Sequence, residues 1–149
     1  MNPYHVLCQK GNWYVFGFDH GAGETRIYAL SRFKNTTITN ETFTIPDGFD
    51  ISKEVDLSFG IWYNKEASED YELLFNKGMA NYILEREWHK DQKMVQREDG
   101  SVYLKFSSNQ KQLILSWVLG FGSAVTVLSP ESLKQDVMKT AKEIIKKYK

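Results

Sequence analysis

The sequence predicts an α+β protein with two units, an all-β unit over residues 1–47 and a mixed unit over residues 70–149, joined by a linker over residues 48–69. Two observations lead to this prediction. Short aromatic and β-branched runs separated by Gly-containing turns fill the first unit, as is typical of strands. Beyond residue 70, strand-like and helix-like patterns follow the order βαββαβ-α, which is that of a ferredoxin-like sandwich with an added C-terminal helix.

The first unit is predicted to contain four strands, over residues 4–8, 12–18, 25–30 and 35–45. Glycines in the first two turns supply the positive φ angles that tight turns need. The fourth run is β-branched and alternating, which favours a strand over a helix, and Pro46 ends it. Because a small all-β unit avoids open edges by closing on itself, we expect a barrel or a roll.

The pattern loosens from residue 47 to about residue 70, a stretch that begins with the turn sequence at residues 46–48 and ends with polar residues 64–70. A short helix is predicted near residues 51–56. Three large apolar side chains of the linker are expected to pack on one of the two units: Phe59, Ile61 and Trp62.

The second unit is predicted as a series of alternating strands and helices. They are a strand at 71–75, a helix at 77–89, strands at 93–97 and 101–107, a helix at 110–119, a strand at 124–128 and a final helix. Ser129 is expected to cap the final helix, with Pro130 at its first position. The apolar residues of that helix recur every three or four positions and so share one face: Leu133, Val137, Ala141, Ile144, Ile145 and Tyr148.

Composition limits the possible functions. The chain has 149 residues, 42% of them apolar and 26% charged, which is an ordinary globular balance. Its 19 basic and 19 acidic residues disfavour a strongly basic nucleic-acid-binding domain but allow a local phosphate pocket. The single cysteine, Cys8, fits a reducing cytoplasm. No apolar run could span a bilayer, so no membrane partner is expected.

The residues do not predict an enzyme. Nucleophilic catalysis would need Cys8 or a serine beside a histidine and an orienting carboxylate. Cys8 and His5 are three residues apart in a predicted strand, which places them on opposite faces. The three histidines lack metal-ligand spacing. We therefore expect no catalysis, no metal site and no cofactor.

The clearest candidate site is the third predicted strand, where cationic and aromatic residues alternate: Arg26, Tyr28, Leu30 and Arg32. In an unbroken strand these residues share one face. A guanidinium group can hold a phosphate through two parallel hydrogen bonds, and a tyrosine ring can stack on a base. The alternative is a purely structural role, in which one arginine pairs with Glu24 or Asp19 and Tyr28 packs in the core of the barrel.

Three more side chains could contribute to the same pocket. Tyr14 and Ser31 would each add a hydroxyl group, and His5 could bond a phosphate when protonated. Tyr14 is equally compatible with a half-buried barrel position, and a lone strand histidine is more often a surface residue. The predicted ligand-binding set is Arg26, Arg32, Tyr14, Tyr28, Ser31 and His5.

Several motifs, in order and at matching spacing, resemble the WYL domain. They are Pro3-Tyr4, residues 11–15, the run from Arg26 to Arg32, and residues 43–46. The Trp-Tyr-Leu signature of the family corresponds here to Trp13, Tyr14 and Val15. The remainder is similar to the C-terminal extension that often follows this domain, through residues 88–92, the Asp99-Gly100 turn, and residues 117–122 and 127–133. The resemblance covers nearly the whole chain.

The resemblance implies both a fold and a function. WYL domains are SH3-like (Sm-like) barrels thought to sense a ligand, often proposed to be a nucleotide or single-stranded nucleic acid. They usually follow a winged-helix DNA-binding domain in bacterial transcription regulators, and the extension commonly helps to build a dimer. The implied protein is a cytoplasmic homodimer that senses an effector. In the extension, Trp88, His89 and Gln92 could line a cleft, but a capping and packing role is the stronger expectation.

Two departures from the family pattern bear on this function. No helix-turn-helix precedes Pro3, so this chain alone is not expected to bind duplex DNA. The barrel strands that normally come before the Pro-Tyr pair are also missing, so the barrel is expected to be partial and to expose a strand edge. Such an edge favours an alternative function, a protein-interaction or oligomerisation module that works without a small ligand.

Overall fold

The computed structural model describes residues 1–61 and 67–149, which form two compact units, Met1–Tyr63 and Asn64–Lys149. The first unit contains a three-stranded sheet and the second a four-stranded sheet with helices. All strand pairs within the described residues are antiparallel. The α+β class predicted from the sequence is confirmed.

The sheet of the first unit is a meander of β1 (Asn2–Gln9), β2 (Asn12–Asp19) and β3 (Glu24–Ala29). Lys10 and Gly11 join β1 to β2 with positive φ angles of 49° and 79°. Two consecutive positive φ angles define the two-residue turn whose twist matches that of the flanking strands. This hairpin is therefore set by local turn chemistry.

The predicted fourth strand over residues 35–45 is wrong. The described residues 33–50 contain no strand, and the side chain of Ile38 is 96% exposed. A β-branched alternating run becomes a strand only when a neighbouring strand pairs its backbone groups and covers one face. Within residues 1–61 and 67–149, no strand pairs with this run.

Part of the predicted linker belongs to the first unit. The ring of Phe49 stacks on the fully buried Phe16 with centroids 5.6 Å apart, and it meets the ring of Tyr4 edge-on. Tyr4 lies where the β1–β2 register shifts, between Pro3 and His5. This irregularity accompanies the inward contact of Tyr4 with Phe49.

The short helix predicted near residues 51–56 is confirmed as α1 (Ile51–Glu54), and the Asp50 side chain caps it by accepting from the Ser52 N–H at 3.0 Å. Phe59 is buried, as expected for a docked apolar residue. Trp62 and the polar residues 64–66 lie outside the described residues, so the expectations for them stay predictions.

The second unit follows the predicted order of elements. These are β4 (Glu69–Phe75), α2 (Ala80–Leu84), β5 (Lys93–Gln96), β6 (Val102–Ser108), α3 (Lys111–Gly120), β7 (Val125–Ser129) and α4 (Glu131–Lys147). The strand order is β5-β6-β4-β7, so the first and third strands of this unit lie at the centre of the sheet.

Two boundaries in the second unit differ from the prediction. The helix predicted over residues 77–89 is shorter, with a 3-10 turn at Lys77–Met79 followed by α2, which ends at Leu84. Ser129 does not cap α4, because its backbone pairs with Glu72 as the last residue of β7. Pro130 takes the cap position and makes no side-chain cap hydrogen bond.

The core of the second unit lies on one face of its two central strands. Register places Tyr71 opposite Phe106 and Leu73 opposite Leu104, and all four side chains are buried. The rings of Tyr71 and Phe106 stack with centroids 5.6 Å apart. Cross-strand pairs of this kind stabilise a sheet through direct side-chain contact.

The final helix is buried only at its start. Leu133 is fully buried, but the later apolar residues of the predicted stripe are exposed: Ala141, Ile144, Ile145 and Tyr148. No helix in the described part of the chain is long and apolar enough to cross a membrane.

Candidate functional site

Arg26 and Tyr28 lie on one face of β3, next to acidic groups of the same hairpin. Arg26 Nε donates to Glu24 Oε1 at 3.1 Å, and Arg26 Nη2 lies 3.0 Å from the same oxygen. The Tyr28 hydroxyl donates to Asp19 Oδ2. The structural alternative predicted for this strand is therefore observed for Arg26, which pairs with Glu24.

The turn between β2 and β3 concentrates hydrogen bonds on Asp19. Its Oδ1 accepts from the Gly21 N–H at 2.8 Å, and its backbone oxygen accepts from the Gly23 N–H at 2.8 Å. The Tyr28 hydroxyl, followed by the Gly21 N–H, lowers the pKa of Asp19 below its ordinary value of 3.8. In return, Asp19 raises the pKa of the Tyr28 hydroxyl.

We expect Tyr28→Phe to raise the pKa of Asp19, because the largest cause of its lowered pKa is removed. A lowered carboxyl pKa stabilises the fold above the ordinary pKa of 3.8, and this stability is lost as pH falls through the folded pKa. The stability difference between wild type and variant should therefore shrink as the solution is acidified below about pH 4.

An NMR titration of the carboxyl carbons measures this shift. Asp99 is an internal control, because its pKa is lowered first by Ser101 in the second unit. Its titration should be the same in both proteins. An unchanged Asp19 midpoint in Tyr28→Phe would contradict the assigned hydrogen bond.

Arg32 and Ser31 do not continue the face of Arg26 and Tyr28. β3 ends at Ala29, and Leu30–Arg32 form a 3-10 turn closed by the Phe33 N–H donating to the Leu30 oxygen at 3.1 Å. The predicted shared face of four alternating residues is therefore wrong, since alternation of side chains stops where the strand stops. Arg32 and Ser31 are both exposed on this turn.

Tyr14 and His5 lie on the opposite face of the sheet from Arg26 and Tyr28. Cross-strand partners share a face, and Tyr28 is opposite Val15 whereas Tyr14 is opposite Ala29. His5 is opposite Phe16, on the same face as Tyr14. The structure thus brings Arg26 and Tyr28 together, and the six predicted residues do not share one face.

In the second unit, Gln92 organises the turn that follows α2. Its Oε1 accepts from the Trp88 N–H at 2.7 Å and from the His89 N–H at 3.1 Å. The buried ring of His89 stacks on Phe106 with centroids 5.5 Å apart. These contacts support the expected packing role of the motif.

Among residues 1–61 and 67–149, no group of three or more His, Cys, Asp or Glu side chains is arranged to hold a metal ion. Cys8 is exposed on β1.

The family of the chain follows from two matches in series. Residues 1–38 match the WYL domain, and residues 68–145 match the WCX domain. This chain belongs to the WYL and WCX domain family. The predicted family resemblance is confirmed, and the predicted C-terminal extension is the WCX domain.

Two curated relatives are similar to nearly all of this chain. The HTH-type transcriptional regulator YobV of Bacillus subtilis (strain 168) is 25% identical over 151 residues, covering 98% of this chain and 45% of the relative. Protein PafB of Mycobacterium tuberculosis is 25% identical over 141 residues, covering 93% of this chain and 41% of the relative. The chain thus spans less than half the length of the curated relatives it matches.

A solved structure of the proteasome accessory factor B/C (PafBC) of Arthrobacter aurescens is also similar to this chain. It is 22% identical, with 91% of this chain and 20% of that chain covered, and the TM-score is 0.38. That superposition is too loose to transfer any geometry to this chain.

Proposed function

We propose that this chain is the effector-sensing and dimerisation region of a cytoplasmic bacterial WYL-family transcription regulator, and that it is not an enzyme. The observation that carries the proposal is the WYL match followed by the WCX match along the chain, together with a relative named as an HTH-type transcriptional regulator. In this proposal the first unit is a partial SH3-like barrel. The strand order β5-β6-β4-β7 supports a ferredoxin-like second unit.

The proposed effector is a nucleotide or a short single-stranded nucleic acid, held through its phosphates. Arg32 is the proposed anchor, because it is exposed and, within the described residues, no acidic side chain pairs with it. The neighbouring Ser31 hydroxyl would add a hydrogen bond. Charge-assisted hydrogen bonds from a guanidinium to a phosphate are stronger than hydrogen bonds between neutral groups.

Arg26 is proposed as a second contact that needs an exchange of partners. Its side chain is 49% exposed and that of Glu24 is 41% exposed, so solvent screens their ion pair and it contributes little stability. A phosphate could therefore replace Glu24 at the guanidinium. Because this exchange has a cost, the loss of Arg26 should weaken binding less than the loss of Arg32.

The test is a titration of short single-stranded DNA oligonucleotides and of mono- and dinucleotides, followed by fluorescence anisotropy or calorimetry. We expect Arg32→Ala to weaken binding about tenfold, the equivalent of one charged hydrogen bond. Arg26→Ala should weaken binding by a smaller factor. Arg97→Ala is the matched control, since Arg97 is exposed on the second unit, and it should leave affinity unchanged.

Two outcomes would overturn the effector proposal. One is the absence of binding by any of these ligands to the wild type. The other is equal affinity of Arg32→Ala, Arg26→Ala and Arg97→Ala, which would show that the arginines of the β3 region are not contacts.

A strand-addition module is the second candidate function, and the edge strand β1 favours it. In the described part of the chain β1 pairs only with β2, so no strand pairs with the other edge of this eight-residue strand. Pro3 lacks an N–H and so shortens the stretch that could accept another strand. The exposed apolar end of α4 supports a dimer in either case.

Size-exclusion chromatography with light scattering on the same samples separates the two candidates. A protein that binds oligonucleotides through Arg32 favours effector sensing, whatever its oligomeric state. An obligate dimer that is indifferent to anions favours strand addition.

A further inference from the structure

The second unit contains a cavity of about 300 Å³ between α3, β7 and α4. Its walls are mainly apolar, with Val118 from α3, Val127 from β7, and Val137 and Met138 from α4. The cavity lies at the lower end of the size range of ligand pockets, about 300–1,000 Å³. It is therefore large enough for a small organic molecule.

The cavity lies beside the part of α4 where the burial of the helix decreases. Leu133 is fully buried beneath the helix, Val137 is half-buried, and Met138 is exposed. Three of the lining residues, Val125, Thr126 and Val127, are small β-branched residues of β7. A ligand placed here would cover apolar surface that is otherwise left incompletely packed, which favours binding.

Lys134 is the charged residue among those that line this cavity, and Thr126 adds a hydroxyl group. Lys134 Nζ donates to Glu131 Oε2 at 3.0 Å, one turn earlier on α4. Glu131 Oε1 is engaged by Gln135 Nε2 at 2.8 Å. An ammonium group has three donors, so the contact with Glu131 leaves Lys134 able to bond a further acceptor.

We propose that this cavity binds a small amphipathic carboxylate, with its hydrocarbon tail between Val118, Val127 and Val137 and its carboxylate on Lys134. The apolar walls select the tail, and the ammonium group at the cavity selects a negative head group over a neutral one. The site lies within the WCX unit and involves none of the β3-region arginines, so it is independent of the nucleotide site proposed above.

Octanoate is the probe, and 1-octanol is the neutral comparison ligand. In ¹⁵N NMR titrations of the full chain, octanoate should shift the amide signals of Val118, Val127 and Val137. Lys134→Met keeps the apolar stem but removes the charge, and we expect it to weaken octanoate binding about tenfold while leaving octanol binding unchanged. Lys142→Met, at an exposed position on the same helix, is the matched control and should change neither affinity.

A second variant tests the cavity itself. Val137→Phe fills the space from a half-buried position and should abolish binding of both ligands, with the fold checked by circular dichroism. Octanoate binding that is unchanged in both Lys134→Met and Val137→Phe would overturn the proposal. So would the absence of octanoate-induced shifts at the cavity residues in the wild type.

Discussion

Phe106→Ala is expected to destabilise the protein by about 3–5 kcal/mol, the usual cost of truncating a buried phenylalanine. Phe106 is essentially inaccessible to solvent in the middle of β6. Its ring stacks on Tyr71 and on His89, and it lies edge-on to Trp117 with centroids 6.4 Å apart. Truncation would leave a cavity bordered by three aromatic rings that cannot collapse together.

Urea unfolding followed by tryptophan fluorescence measures this loss, because Trp88 and Trp117 report on the second unit. Lys139→Ala is the control from the same unit. Its side chain is exposed and lies outside the apolar stripe of α4, so its removal should change the free energy of unfolding by less than about 0.5 kcal/mol. Similar losses in the two variants would contradict the position of Phe106 at the centre of the core.

Gly17→Ala is the second substitution with a large expected effect, a loss of about 1–3 kcal/mol or more from overpacking. A Cβ atom at this position would overlap the Asn2 carbonyl oxygen and lie 3.0 Å from the Pro3 Cα. Both are backbone atoms, so no side-chain rotation can relieve the contact. The start of β1 would have to separate from β2.

Thermal unfolding and amide hydrogen exchange in β1 test this expectation. Gly120→Ala is the control and should not reduce stability, because a Cβ atom at this position, at the end of α3, meets nothing within 4 Å. Alanine there should be neutral or stabilise the helix by up to about 1 kcal/mol. If Gly17→Ala were as stable as Gly120→Ala, this result would contradict the close approach of β1 to β2 at Gly17.

The sequence was a reliable guide wherever short-range chemistry controls the backbone. Lys10 and Gly11 form the predicted turn because their φ angles are a local property. The order of strands and helices after residue 69 follows from side-chain periodicity. Periodicity failed at residues 35–45, because a strand also needs a partner, and a partner distant in the chain leaves no mark on the local pattern.

The candidate site was predictable in its residue types and not in its arrangement. Arg26 and Tyr28 stand where alternation predicts, but the turn at Leu30 moves Arg32 off the strand. The cavity beside Lys134 left no signal in the sequence. Its valines look like ordinary core positions, and the gap depends on how α3, β7 and α4 pack together.

By itself the sequence determined the family of this protein, its α+β class and the order of its elements, since these depend on motifs and on periods of two to four residues. Only the tertiary structure decided that Glu24 neutralises Arg26, that Tyr14 and His5 face away from Tyr28, and that a cavity opens under α4. Those outcomes depend on strand register and on where elements end. Register and end points are settled by contacts between residues far apart in the chain.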